Sequence, residues 1–267
     1  MTTSFGFPFV KAHAYGNDFL YVTADAVAGL ALPDLARELC ERHTGIGADG
    51  LIVYAEHAGG ASMRLFNADG SRAEVSGNGV RALGAIPLRH DAREDATVVI
   101  QTEGGVKTLA RIGGSGSRQT FRAAMGAPAD LRQVSLLVAG ETIAVVVLNM
   151  GNPQCVILGA LPDRGRFERL GSVLEHHEAF PDGTNVEFAE VTRPDAVKIL
   201  IWERGVGPTT SSGTGSCAAL VAAAAFGGAA RDAQVVAPGG DQRVEWAADG
   251  VYLTGWAEIL FDGQWVR

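Results

Sequence analysis

The chain has 267 residues, a hydrophobic fraction of 47%, a charged fraction of 19% and a formal net charge of −8. These values describe a globular protein with ample core, in one large domain or two of ordinary size. The negative charge argues against nucleic acid or an anionic membrane surface as the main partner.

Strand-like and helix-like segments alternate along the first half of the chain. The pattern predicts one helix at Pro33–Arg42 and strands at Phe9–Lys11, Phe19–Val22, Gly50–Tyr54 and Met63–Asn67. It then predicts a meander of short strands at Val98–Gln101, Lys107–Arg111 and Arg118–Ala123, with a flexible hairpin tip at Gly113–Ser117.

The same alternation restarts in the second half. It predicts strands at Ser135–Val138, Ile143–Asn149, Cys155–Leu158, Val186–Glu190 and Val197–Trp202. Helices are predicted at Leu161–Glu178 and Thr214–Phe226, and the chain is expected to close with short strands up to Arg267.

The cysteine content and the N-terminal sequence bear on the cellular location of the protein and on metal binding. The cysteines Cys40, Cys155 and Cys217 are too few and too irregularly spaced for a disulfide framework or a zinc site. No signal peptide is evident, and no apolar run approaches the ~20 residues of a membrane span. We therefore expect a cytoplasmic protein that binds no metal.

Three polar and glycine landmarks recur in the same order in both halves. Gly16–Asp18 resembles Gly151–Pro153, Asp49-Gly50 resembles Asp182-Gly183, and a Ser-Gly-x-Gly turn begins at both Ser76 and Ser212. The offsets are all about 133 to 136 residues, longer than the repeats of solenoid proteins. The sequence therefore predicts two homologous halves whose corresponding loops meet at a shared cleft, a usual ligand location.

The two Ser-Gly-x-Gly turns are the strongest candidates for chemistry. A serine before a helix is a good N-cap, and the first amides of the helix are suited to bind a carboxylate. Facing turns would place one hydroxyl on each side of a bound carbon, which suits transfer of a proton from one face to the other. Asn17, Asn67, Asn152 and Asn185 lie beside glycines or at strand ends, where their amides either bind a zwitterion or simply form turns.

Taken together, these landmarks resemble the diaminopimelate epimerase family over nearly the whole chain. The matching segments are Lys11–Phe19, Gly45–Gly50, Phe66–Gly70, Gly77–Gly79, Gly151–Pro153, Asn185–Phe188, Glu203–Gly205 and Gly213–Gly215. The resemblance implies a cofactor-independent isomerase that inverts one α-carbon of diaminopimelate on the route to lysine. It also makes a homodimer plausible.

The resemblance also implies a fold and a domain division. The fold is α+β, with two pseudo-symmetric domains that each wrap a mostly antiparallel sheet around a central helix. Residues 1–128 would form the first domain, with the tail 258–267 packing on it, and residues 129–257 the second.

Site residues follow from the resemblance position by position. Substrate contacts fall on Asn17, Asn67, Asn152, Asn185, Glu203 and Arg204. The backbones of Gly77-Asn78 and Gly213-Thr214 would hold the reacting carboxylate. The two acid/base positions fall on Ser76 and Ser212, where typical members have cysteines, and Cys217 matches a non-catalytic cysteine of the family.

The chain departs from the family pattern at further positions. Gln154 stands where a histidine usually assists proton transfer, Pro208 where glutamate is common, and Pro87 is expected to interrupt the helix after the first turn. A serine hydroxyl needs a neighbouring base, for which Glu203 is the remaining candidate. The sequence thus favours an epimerase and leaves two alternatives open: a related racemase or proton-shifting isomerase with another substrate, or an amino-acid-binding homologue without catalysis.

Overall fold

The structure, a computed structural model, describes residues 6–266 and divides into two units. The first unit contains the described residues up to Ala123 together with those from Gly255 onward, and the second is Ala124–Thr254. The strand β17 (Gly250–Val266) therefore passes from the second unit back into the first.

Within residues 6–266 the secondary structure comprises four α-helices, one short 3₁₀ turn and seventeen β-strands. The helices are α1 (Leu32–Cys40), α2 (Gly77–Leu88), α3 (Arg164–Glu175) and α4 (Gly213–Phe226), and the 3₁₀ turn is Asp25–Val27. The strands of the first half are β1 (Gly6–Ala14), β2 (Asn17–Thr23), β3 (Gly50–His57), β4 (Gly60–Asn67), β5 (Arg72–Ala73), β6 (Thr97–Thr102), β7 (Gly105–Ser115) and β8 (Arg118–Gly126). Those of the second half are β9 (Ala129–Val138), β10 (Glu141–Asn149), β11 (Pro153–Leu158), β12 (Asn185–Arg193), β13 (Ala196–Glu203), β14 (Gly207–Thr209), β15 (Asp232–Ala237), β16 (Gly240–Ala247) and β17 (Gly250–Val266).

Strand pairing repeats from one unit to the other. In the first unit β1/β2 is antiparallel, β2/β3 parallel, β3/β4 antiparallel, β4/β6 parallel and β6/β7 antiparallel. In the second unit β10/β11, β11/β12, β12/β13, β13/β15 and β15/β16 follow the same series of directions. This repetition confirms the predicted pair of homologous, mostly antiparallel halves.

In the first unit the sheet closes on itself. β17 pairs antiparallel with β1 on one side and also pairs with β8, so the strand order β8-β7-β6-β4-β3-β2-β1-β17 returns to β8. Closure of a sheet removes the exposed edges that would otherwise invite pairing with other chains.

Each unit has a central helix, α2 in the first and α4 in the second. Residues 78–86 of α2, which include the polar Asn78 and Arg81, and most of the alanine-rich α4 up to Ala223 are buried, as expected for a helix inside a curled sheet. The outer helices bury only one face. Leu35 and Leu39 of α1 and Phe167 and Leu170 of α3 contact the other side of the strands. No helix within residues 6–266 is long and apolar enough to cross a membrane.

Three local expectations are corrected. Pro87 does not end helix α2 before its last turn, because the helix includes Pro87 and ends one residue later, at Leu88. The chain does not close with short strands alone, since β17 has 17 residues. The tip predicted at Gly113–Ser117 is shorter, because β7 reaches Ser115 and pairs it with Arg118.

Two glycines of α3 provide a test of its packing. A Cβ atom at Gly171 would lie 2.7 Å from the Trp202 ring, whereas one at Gly165 would meet nothing closer than 3.5 Å. We expect Gly171→Ala to lower the free energy of unfolding by about 1–3 kcal/mol. Gly165→Ala should be neutral or stabilising by up to about 1 kcal/mol, since alanine favours the helix. Urea denaturation of both variants measures the difference, and equal stabilities would contradict this account of the packing.

Candidate active site

The central helices begin in the same way. Ser76 precedes α2 and Ser212 precedes α4, both with extended backbone. Each serine Oγ accepts a hydrogen bond from the third amide of its helix, at 3.2 Å from Gly79 N and 3.1 Å from Gly215 N. Both serines are half-buried. The predicted N-caps are therefore present in both units, and each fixes one hydroxyl at the positive end of a helix.

In the first unit, side-chain amides connect the helix start to the β1–β2 turn. Asn78 Nδ2 donates to Asn17 Oδ1 at 3.4 Å, and Asn17 Nδ2 donates to Asp49 Oδ2 at 2.9 Å. Arg42 donates to the other oxygen of Asp49 at 2.9 Å and to Asp18 at 3.0 Å. A chain of hydrogen bonds thus holds Asn17 beside the first turn of α2.

Asp18 gives this network its charge balance. Its carboxylate also pairs with Lys11 at 3.0 Å. Burial alone would raise the pKa of Asp18, but the hydrogen bonds from Arg42 and Lys11 outweigh it and lower the pKa. The carboxylate therefore stays ionised and keeps both cations in place.

Asn67 lies apart from these contacts. It ends β4, where it pairs with Gly50, and its side chain is exposed and donates to Ser71 Oγ at 2.9 Å. Its loop is nevertheless tied to the same segment, because Ala68 N donates to Asp49 O at 3.0 Å. Asn67 is thus next to the network and not part of it.

In the second unit, Asn152 takes the place that Asn17 has in the first. Asn152 Nδ2 donates to Thr214 Oγ1 at 3.4 Å, again linking the loop before a strand to the first turn of the central helix. The Gln154 side chain contacts Asn152. Gln154 also pairs with Asn185, the first residue of β12, in the parallel register of β11 and β12. The structure therefore brings together Asn152, Asn185 and Thr214 beside Ser212.

The Glu203-Arg204 turn is anchored through its backbone. Arg204 N donates to Asn185 Oδ1 at 3.0 Å, and Gly205 N donates to Glu175 Oε1 at 2.7 Å. Glu175 also accepts from Trp202 Nε1 at 2.6 Å. Burial would raise the pKa of Glu175, but these two hydrogen bonds outweigh it and lower the pKa. Sequence reasoning did not find Glu175, whose position in α3 gives no signal.

Glu203 does not bond to a serine. Within the described part of the chain its carboxylate makes no hydrogen bond, and Ser212 Oγ bonds only to Gly215 N. Burial raises the pKa of Glu203. The predicted role of Glu203 as the base for a serine therefore has no direct contact to support it.

A second buried carboxyl was missed. Glu187 lies in β12 with no exposed surface, and burial followed by the charge of Glu203 raises its pKa well above the usual range. A Cβ atom built on Gly215 would lie 2.6 Å from Glu187 Oε1 and 3.1 Å from Ser212 Oγ, so both groups border the same point of α4. The sequence did carry a signal, since Glu187 interrupts the apolar run Val186–Ala189.

None of the cysteines substitutes for the serines. Cys40, Cys155 and Cys217 are all buried. Burial raises the pKa of Cys40 to about 12 and raises that of Cys155 further. Such thiols are poor nucleophiles and bases near neutral pH.

Each helix start, with its capping serine and neighbouring asparagine, forms a half-site, and these half-sites suit a small anionic or zwitterionic ligand. At each helix start the serine caps the third backbone amide, so the first two backbone amides remain available to bind a carboxylate. An asparagine side-chain amide and the serine hydroxyl lie beside them. No charged group other than the Glu203-Arg204 pair was predicted to contact a ligand, and the structure places that pair at the end of β13.

Comparison with known proteins identifies the relatives of this chain. A family model described as diaminopimelate epimerase matches residues 9–128 and 146–260. The diaminopimelate epimerase of Desulforudis audaxviator is 41% identical, with 97% of this chain and 99% of that protein covered. That of Synechocystis is 39% identical, with coverages of 96% and 98%.

A solved structure shares the fold at low identity. It is a hydroxyproline epimerase from Agrobacterium vitis, with a TM-score of 0.70, 15% identity, and coverage of 100% of this chain and 94% of that one. At this identity the likeness extends to the fold alone.

Proposed function

The chain belongs to the diaminopimelate epimerase family, and on this premise we propose that it interconverts LL- and meso-diaminopimelate by moving one α-proton. The observation that carries the proposal is the pair of serine-capped helix starts, each with an asparagine bonded to its first turn. Inversion by two groups needs one acid and one base acting on opposite faces of the same carbon. Ser76 and Ser212 are the proposed pair.

The reacting carboxylate is the part of the substrate that a helix start recognises. We assign it to the backbones of Gly77-Asn78 and Gly213-Thr214. Loss of the α-proton places further negative charge on this carboxylate, so amides aimed at its oxygens stabilise the transition state more than the substrate. The same interaction thus binds the substrate and makes its α-proton more acidic.

A serine is a weaker acid than the cysteine of typical family members. A thiol at a helix start forms a thiolate near neutral pH, whereas a serine hydroxyl needs help to lose its proton. In each half-site the hydroxyl oxygen accepts an amide N–H and lies at the positive helix end, which favours its anionic form. These two effects are the help that the chain itself supplies.

The remaining predicted contacts fit the rest of the substrate. The Glu203 carboxylate would attract an ammonium group, and Arg204 would bind the distal carboxylate. Asn67 and Asn185 would bind the distal carboxylate or ammonium through their amides. The proposed reaction is a proton transfer and uses no metal or organic cofactor. We propose a cytoplasmic location, where amino-acid precursors are made.

Solvent-isotope exchange tests the function directly. The protein is incubated with LL- or meso-diaminopimelate in deuterated water, the α-proton is followed by NMR, and stereoisomers are separated on a chiral column. We expect deuterium to be incorporated at the α-carbon, and each of the two stereoisomers to be converted into the other. Folded protein that binds diaminopimelate without exchange would point to a binding protein, and turnover of another amino acid to a different racemase or isomerase.

Thiol-directed reagents give a second prediction. Because the three cysteines are buried, we expect iodoacetamide to leave the epimerase rate within about twofold of the untreated protein. The double variant Ser76→Cys/Ser212→Cys is the control, since its thiols would be half-exposed at helix starts and should be alkylated and inactivated. Inactivation of the natural protein by alkylation would show that a cysteine acts in the reaction.

A further inference from the structure

Gln154 and Glu187 face each other in the interior of the second unit. Neither side chain has exposed surface. One atom of the Gln154 amide lies 3.0 and 3.2 Å from the two carboxyl oxygens of Glu187. Such close contact between two fully buried polar groups implies a hydrogen bond, because leaving both unpaired would cost too much.

The other atom of the Gln154 amide points toward three residues proposed to contact the substrate. It lies 2.6 Å from Asn152 Oδ1, 3.3 Å from Asn185 Nδ2 and 3.3 Å from Thr214 Oγ1. The Gln154 side chain thus lies between Glu187 and the residues proposed to bind the substrate, and it contacts both. Glu187 also borders Gly215 in the first turn of α4, next to Ser212.

We propose that Glu187 and Gln154 form a buried positioning pair that fixes Asn152, Asn185 and Thr214 in the geometry that binds substrate. The inference rests on the proposed function for its substrate, and the pair itself is testable without it. Gln154 then replaces the family's histidine in orienting neighbours, although an amide cannot carry a proton between acid and base.

Whether the Glu187 carboxyl carries a proton decides which groups donate and which accept in this set of hydrogen bonds. If Glu187 is neutral, its O–H donates to Gln154 Oε1, Gln154 Nε2 donates to Asn152 Oδ1 at 2.6 Å, and Asn152 Nδ2 donates to Thr214. If Glu187 is ionised, the Gln154 amide must turn over and donate to the carboxylate. Its oxygen would then face Asn152 Oδ1, and Asn152 would have to turn as well.

The neutral arrangement is favoured by the surroundings of Glu187. Complete burial opposes ionisation of Glu187 most strongly, and the charge of a second carboxylate, Glu203, opposes it further, so the pKa of Glu187 is raised. Glu187 therefore serves as a hydrogen-bond donor to Gln154. Its role is to hold an amide in one orientation and not to accept the substrate's proton.

Two substitutions of Glu187 separate these roles. Glu187→Gln keeps a donor and an acceptor at the same position, so we expect KM and the exchange rate within about threefold of the natural protein. Glu187→Leu leaves the Gln154 amide without a partner, so KM should rise about tenfold or more with a smaller change in kcat. Loss of exchange in Glu187→Gln at unchanged KM would overturn the proposal and make Glu187 a proton acceptor.

A mutant cycle and a spectrum test the pair independently of catalysis. Urea unfolding of Glu187→Leu, Gln154→Leu and the double variant should show strong non-additivity, the double variant being no less stable than the worse single one. Infrared spectra at neutral pH should contain a protonated-carboxyl band that disappears in Glu187→Gln. Additive stabilities would overturn the pair, and absence of the band would overturn the neutral arrangement in which Glu187 donates to Gln154. A positive result in a protein that does not epimerise diaminopimelate would instead refute only the proposed function.

Discussion

Replacing either Ser76 or Ser212 by alanine should lower the rate of diaminopimelate inversion by at least about a hundredfold, the usual contribution of one general acid or base. Inversion needs both hydroxyls, because one removes the α-proton and the other returns a proton on the opposite face. The double variant should be hardly worse than either single one, since the two act as a unit. Initial rates with LL-diaminopimelate, analysed by chiral chromatography, measure the loss.

Isotope exchange adds a sharper signature to this prediction. A variant that keeps one serine can still remove and return a proton on one face, so it should exchange the α-proton of one stereoisomer without inverting it. Ser76→Ala and Ser212→Ala should differ in which stereoisomer exchanges. Exchange of both stereoisomers in either variant would argue against a two-serine mechanism.

Loss of a helix cap must be separated from loss of chemistry. Serine to alanine at an N-cap costs about 1 kcal/mol of stability, whereas serine to glycine costs only a few tenths. Ser212→Gly is therefore the matched control. It should unfold in urea nearly as the natural protein does and be as inactive as Ser212→Ala. An active Ser212→Gly would show that the hydroxyl is not needed.

Glu203→Gln should lower kcat/KM by about a hundredfold at neutral pH, because a half-buried carboxylate facing an ammonium group contributes strongly to binding. Its pH dependence follows from the raised pKa of Glu203. As the pH falls through that value the carboxylate takes up a proton and no longer attracts the substrate. For the natural protein, kcat/KM should decrease toward acid, beginning at a higher pH than an ordinary glutamate would give.

The pH profile also identifies the residue responsible. In Glu203→Gln the acid decrease of kcat/KM should disappear, because the amide does not titrate in this range. The control is Glu190→Gln in the neighbouring strand β12, which should keep both the rate and the acid decrease. If the decrease persists unchanged in Glu203→Gln, another group controls substrate binding.

Much of the architecture could be read from the sequence because it is repeated. The Ser-Gly-x-Gly turns predicted both central helices, and the observed starts at Gly77 and Gly213 follow them directly. The strands missed in the sequence are the shortest ones, β5 with two residues and β14 with three. Pairing across the sheet, and not local propensity, makes these segments strands.

The candidate site was predicted in its asparagines and serines but not in what supports them. Glu187 sits within a matched motif and interrupts an apolar run, but its contact with Gln154 follows only from the fold. Glu175 acts through Trp202 and Gly205, which are about 30 residues away in the chain. Contacts of this kind depend on tertiary packing, which a single sequence does not reveal.

The long strand β17 has a consequence for synthesis. Its residues from Gly255 onward belong to the first unit, and Gly6–His13 of β1 pair with Val266–Glu258 of β17. The N-terminal half therefore lacks one strand of its closed sheet while the ribosome makes the following 131 residues, Ala124–Thr254. Domains usually fold in the order of translation. Here the half made first must be completed last, so its exposed strand edges depend on protection until the C-terminal strand emerges.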